Sequence, residues 1–178
     1  MQKARLASIA SAITIAAGGG LIAIHHLGGT PGDTEGWFAS TGFGAPFIGA
    51  GLLGLLAVLK SCPLYCAAAG LALPPMCIIS VIGFPLLIPA GMLIVVALAN
   101  EVPVREMALA AIPALALAAT TWFLVLHQDP VTWTTATSSG GSSNIITSFE
   151  ATLSITVVTI VLAACYLLSP RGQPLPSR

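Results

Sequence analysis

The chain has 178 residues, of which 56% are hydrophobic and only 7% charged, with six Lys plus Arg balanced by six Asp plus Glu. A soluble domain carries about 25% charged residues, so this composition excludes an ordinary water-soluble fold and predicts a chain solvated by lipid. Zero net charge leaves no basic face for nucleic acid, whose phosphates need neutralising.

The predicted elements follow in chain order. Lys3 and Arg5 precede an apolar run from Leu6 to about Leu27, long enough to span a bilayer as a helix. A secretory signal begins in the same way, but its apolar core is shorter and ends at a small-residue cleavage site. Here Gly18-Gly19-Gly20 lies inside the run, which reads as an uncleaved helix with a thin face for close packing. His25 to Gly42 reads as a loop, because Gly, Pro, Asp and Thr are turn residues. Its charges, Asp33 and Glu35, are negative, and Trp37 and Phe38 suit a membrane interface. A second helix is expected over about 45–60, bearing Gly49, Gly51 and Gly54 and ending at Lys60.

Ser61 to Ala99 is the ambiguous stretch, with five prolines, three of the four cysteines and no charge. As one straight helix it would be about 60 Å long, twice the hydrocarbon thickness. Two arms, about 64–82 and 85–99, use its length better, with the turn at Ile82-Gly83-Phe84-Pro85. Pro74-Pro75 should kink the first arm. A polar break from Asn100 to Glu106 leads into a helix over about 107–126, which Pro113 would bend. A Ser/Thr/Gly-rich loop, His127 to Asn144, precedes a last helix over about 149–168, and residues 169–178 form a flexible Pro-rich tail.

The expected architecture is therefore all-α: a polytopic transmembrane bundle of about six helices in a single domain, 1–178, with short loops. Six crossings place Lys3, Arg5, Lys60, Arg105, Arg171 and Arg178 on one face and Asp33, Glu35 and Asp129 on the other. The positive-inside rule makes the basic face cytoplasmic, with both termini there, in a cell membrane. A single crossing by the middle stretch would give five helices and divide the bases. A re-entrant or interfacial middle would give four.

Two groups of residues could hold a soft or transition metal. Cys62 and Cys66 lie four apart at a helix start, and Cys165 near the inner end of the last helix falls at a similar depth. Thiolates suit Cu(I) or Zn(II), and a helix N-terminus lowers a thiol pKa. The spacing is not the CxxC of zinc or redox motifs, and free cysteine is a common small apolar filler. His25, His26 and His127, with Asp129, fall at the opposite face. Imidazole with carboxylate suits Zn(II) or Cu(II), although histidine at a helix end also serves as a simple cap.

No acid or base falls at a helix centre, which argues against a proton-coupled pump. Thr152, Ser154, Thr156 and Thr159 of the last helix are expected to bond their own backbone or a neighbouring helix. No nucleophile elbow or phosphate-cradling glycine loop is present, so the sequence points to no enzyme and to no resident cofactor. The expected role is a structural or accessory membrane component. Its partners would be the lipid bilayer and other membrane proteins, or a second copy held through Gly-rich helix faces. The alternative is a metal carrier or sensor.

Overall fold

The computed structural model describes residues 2–28, 34–78, 81–127, 129–132, 142–145 and 147–168. Six α-helices form an all-α bundle: α1 (Gln2–Gly28), α2 (Thr34–Leu59), α3 (Leu64–Cys77), α4 (Leu87–Ala99), α5 (Val104–Leu126) and α6 (Ser148–Leu168). A short 3-10 segment, Val81–Leu86, joins α3 to α4. α1, α2, α5 and α6 each contain a stretch long and apolar enough to cross a membrane, whereas α3 and α4 are shorter apolar helices.

Hydrogen bonds and ring contacts establish that the helices alternate in direction. The Lys3 ammonium donates to the Ala99 carbonyl, tying the start of α1 to the end of α4. Tyr65 Oη donates to the Cys165 carbonyl at 2.5 Å, tying the start of α3 to the end of α6. Lys60 Nζ lies 4.0 Å from the Tyr166 ring centroid, so α2 ends there too. At the far end, Trp122 Nε1 of α5 donates to the Pro75 carbonyl of α3 at 3.2 Å.

α2 is the axis of the bundle. Two pairs of glycines, each seven residues apart, line its opposite sides. A Cβ on Gly44 or Gly51 would come within 3 Å of α1, and one on Gly42 or Gly49 would press on Ala151 or Val158 of α6. Seven residues are close to two helical turns, so each pair lies on one side, while the offset of two residues between pairs is about 200°. α1 and α6 therefore approach α2 from opposite sides, which only missing side chains allow.

The middle stretch folds back on itself. A Cβ on Gly70 of α3 would meet Ile94 and the Ala90 carbonyl of α4, and α3 begins where α4 ends. This excludes a single straight passage, and the reversal falls at the 3-10 segment, over the expected turn. α3 stops at Cys77, short of the expected 82. Pro74 and Pro75 lie inside α3, which continues two residues beyond them, and the Ile78 N–H still donates to the Pro74 carbonyl at 3.3 Å. α3 is the most enclosed helix, with Tyr65 to Gly70, Ala72, Leu73, Met76 and Cys77 all buried.

Other boundaries also shift. α1 starts at Gln2, before the expected Leu6, and α5 at Val104, before Met107. The larger correction is α2, which starts at Thr34, so that Thr34 to Gly42 is helix where a loop was expected. α6 supplies the reason: Ser154 Oγ donates to the Gly42 carbonyl at 2.9 Å, and Ala151 lies against Gly42. The Ser/Thr/Gly-rich region contains two short antiparallel strands, β1 (Asp129–Thr132) and β2 (Ser142–Ile145), paired from Asp129↔Ile145 to Thr132↔Ser142. The expected tail, 169–178, lies outside the described residues.

The outer surface is apolar. Leu109, Ile112, Leu115 and Leu126 of α5 and Ile88, Val95 and Leu98 of α4 are all more than half exposed. Water would make this a large aggregation-prone patch, and acyl chains solvate it without penalty.

Candidate functional site at the basic end

Lys3, Arg5, Lys60 and Arg105 all lie at one end of the bundle, where α1 and α5 begin and α2 ends. Glu101 and Glu106 share that end. Cys62, Cys66 and Cys165 are there as well, at the depth their sequence positions implied.

The link between α2 and α3 is a tight C-terminal cap. Ser61 adopts the left-handed conformation at φ 51°, and the Cys62 N–H reaches back to the Ala57 carbonyl at 2.9 Å. This 6→1 bond satisfies a carbonyl that the end of a helix leaves open. Pro63 then begins α3, its carbonyl accepting from the N–H groups of Cys66 and Ala67. The link between α4 and α5 repeats the device: Glu101 has φ 55°, Val102 N–H reaches Ala97, and Pro103 begins α5.

Cys62 therefore sits in a link held at both sides by α6. Two residues before it, Lys60 stacks on Tyr166, and three residues after it, Tyr65 binds the carbonyl of Cys165. Cys62 is within electrostatic reach of Cys66, Cys165 and Glu106. All four cysteines are free thiols; Cys62 and Cys165 are half-buried, Cys66 and Cys77 buried. The expected lowering of the thiol pKa does not hold for Cys62. Burial pushes it up, the N–H groups of Leu64 and Tyr65 offset part of that rise, and the Glu106 carboxylate adds to it. Burial opposes the charged thiolate more than one helix start can favour it.

The histidine group is differently placed. His25 and His26 fall on the last turn of α1, with side chains outside the described residues, as is that of Asp129. His127 caps α5: its ring stacks on Phe123 at 4.1 Å between centroids, and Nδ1 meets the Phe123 carbonyl at 3.0 Å. That contact needs the proton on Nδ1. Among the described residues, no three His, Cys, Asp or Glu side chains gather closely enough to hold a metal ion.

The hydroxyls of α6 behave as expected. Thr152, Thr156 and Thr159 each donate to the carbonyl four residues back at 2.7 Å, and Ser154 reaches Gly42 on α2. Sequence reasoning placed the start of α6 within one residue but missed its cap, where Thr147 and Glu150 form a Thr-x-x-Glu capping box. The Glu150 carboxylate accepts from both the N–H and the hydroxyl of Thr147 at 2.6 Å. The signal was present in the sequence as "TSFE".

Among the described residues these features define a class: a small helical bundle with four helices long and apolar enough to span a membrane and a folded-back pair of shorter ones. No protein-family model, curated protein or solved structure matches the chain.

Proposed function

We propose that this is a multi-pass protein of the cell membrane that serves as a structural or accessory component, packing against other membrane proteins or a second copy of itself. It carries out no reaction of its own. The observation that supports the reading is the unequal use of its helix glycines. Gly18, Gly42, Gly44, Gly49, Gly51, Gly54 and Gly70 are all filled by neighbours within the chain, whereas Gly19, Gly20 and Gly91 meet nothing within 4 Å. Glycine in a helix costs about 1 kcal/mol relative to alanine. In a bilayer that cost is offset where another helix comes close. α6 leaves most of its circumference open, with Ala151, Ser154 and Val158 as its buried residues.

The orientation we propose places the basic end in the cytoplasm, and with it both termini. The clustering of Lys3, Arg5, Lys60 and Arg105 supports it through the positive-inside rule. The α3–α4 hairpin returns the chain to its side of entry however deep it reaches.

A photo-crosslinking residue at position 20 or 91, with position 115 of α5 as the control, tests the accessory role in native membranes. Protein adducts at 20 or 91, with lipid adducts at 115, are the expected result. Lipid adducts at all three positions would remove the basis of the reading.

A further inference from the structure

The chain repeats itself across its two tight links. Ser61 and Glu101, both with left-handed backbone, are forty positions apart, and the cap bonds around them match at the same offset. The Cys62 N–H reaches Ala57 as the Val102 N–H reaches Ala97, and the carbonyls of Pro63 and Pro103 each accept from the N–H groups three and four residues on. The sequences agree as well: Ile48, Ala50, Gly51, Leu53 and Ala57 of α2 recur as Ile88, Ala90, Gly91, Leu93 and Ala97 of α4. α2–α3 and α4–α5 are two versions of one helical hairpin.

The two versions differ in what covers one face. On α2, a Cβ on Gly51 would strike Ser11 and Ile15 of α1, and Ile48 lies against Gly18. On α4 the corresponding face is open. Nothing lies within 4 Å of a Cβ on Gly91, and Leu87, Ile88, Val95 and Leu98, which share its side of the helix, are exposed. A face whose twin receives a helix, and which keeps the same glycine notch, has the shape to receive one too. We propose that α1 of a second copy of this chain occupies the Gly91 face of α4, and that two copies exchange this contact about a two-fold axis.

Three observations select that occupant. α1 is the helix that covers the twin face on α2, and its outward side is thin: Ala12 and Ala16 are exposed, and Gly20, next at the same four-residue spacing, is open. The depth agrees. Lys3 binds the Ala99 carbonyl and the two helices run antiparallel, so eight residues along each, Ser11 is level with Gly91. Copies in one membrane share depth and direction, so α1 of a neighbour brings Ala12 and Ala16 to the level of Gly91, antiparallel to α4 as α1 is to α2. Finally, α1 and α4 pack on each other within the chain. The face that inserts and the face that receives are therefore neighbours, as a reciprocal two-fold contact requires. The inference rests on the accessory reading and names its partner.

The test co-expresses two differently tagged full chains in membranes, one with Ala12→Cys and the other with Gly91→Cys, both at positions open in the single chain. Mild oxidation should give a disulfide-linked dimer carrying both tags. Either variant paired with the wild type, or Ala12→Cys paired with Leu115→Cys of α5, should give none, which separates the contact from native thiols and chance collision. Gly91→Leu fills the notch without meeting the chain's own core. It should leave the unfolding midpoint in dilute detergent unchanged and weaken self-association in liposomes, counted by single-molecule photobleaching, roughly tenfold. The proposal is overturned if no dimer joins position 12 to position 91, if position 91 links only to itself, or if Gly91→Leu associates as the wild type does. Such a failure together with adducts to other proteins at position 91 would leave the accessory role standing, whereas lipid adducts there would remove both.

Discussion

Gly18 and Gly44 face each other so closely that neither can carry a side chain. A Cβ on Gly18 would lie 2.8 Å from the Gly44 carbonyl oxygen, and a Cβ on Gly44 would lie 2.7 Å from the Gly18 carbonyl oxygen. Both obstacles are backbone, so no side-chain rotation relieves them, and α1 and α2 must separate to admit even a methyl group. Gly44→Ala is expected to destabilise the fold by about 1–3 kcal/mol, the usual cost of overpacking. Gly19→Ala, which enters open space, should be neutral or slightly stabilising. Unfolding in mixed detergent micelles measures both, and equal effects of the two substitutions would contradict the close approach.

The two links at the basic end yield a prediction of opposite sign. Ser61 and Glu101 hold φ values of 51° and 55°, a conformation that costs an L-residue roughly 1–2 kcal/mol and glycine almost nothing. Both residues are exposed, so their side chains contribute little packing. Ser61→Gly and Glu101→Gly should each stabilise the protein by about 0.5–1 kcal/mol, less than the full strain because glycine also enlarges the unfolded ensemble. A rise in the unfolding midpoint for both variants is the expected result. A fall for both would mean that these side chains hold the links in place.

Most of the architecture was legible because hydrophobic run length reports helices, and prolines and glycines report their ends. The last two helices were placed within a few residues, and the turn after Ile82 falls in the 3-10 segment. What stayed hidden depends on partners distant in sequence. Thr34 to Gly42 has the composition of a loop, and the local sequence carries no sign that Ser154 and Ala151 will support it as helix. The same holds for the glycines: Gly18, Gly19 and Gly20 are equivalent as a string, yet only Gly18 is turned toward α2. At the site, the depth of the thiols could be read from the nearby bases. The state of Cys62 could not, since it depends on burial in the folded chain and on a carboxylate from α5.

Trp122 tests how the prolines of α3 are accommodated. Its indole N–H donates to the Pro75 carbonyl from the neighbouring helix at 3.2 Å, at the point where α3 is about to end. A carbonyl near a helix end has fewer intrahelical donors, and water is scarce if this level lies in the bilayer. Trp122→Phe keeps the aromatic contact and removes the donor, so it should cost about 1 kcal/mol. Trp122→Ala should cost clearly more through lost packing. If Phe is as stable as the wild type, the bond contributes nothing to holding α5 on α3.

The reactivity of Cys62 follows from its surroundings and has a definite sign with pH. Only the thiolate is alkylated, and burial together with Glu106 holds the Cys62 thiol above its usual range. Its alkylation should be slow at neutral pH and rise about tenfold per pH unit, continuing past pH of about 8.5, where an unfolded cysteine levels off. In denaturant the same residue should react faster at every pH below its folded pKa and reach its plateau earlier. Glu106→Gln removes the nearby negative charge, lowers the pKa and should raise the rate at fixed pH, while burial, the larger cause, remains. Site-resolved alkylation by mass spectrometry across pH 7 to 10 separates these contributions. A plateau near the unfolded value in the folded protein would show that the α2–α3 link opens to water.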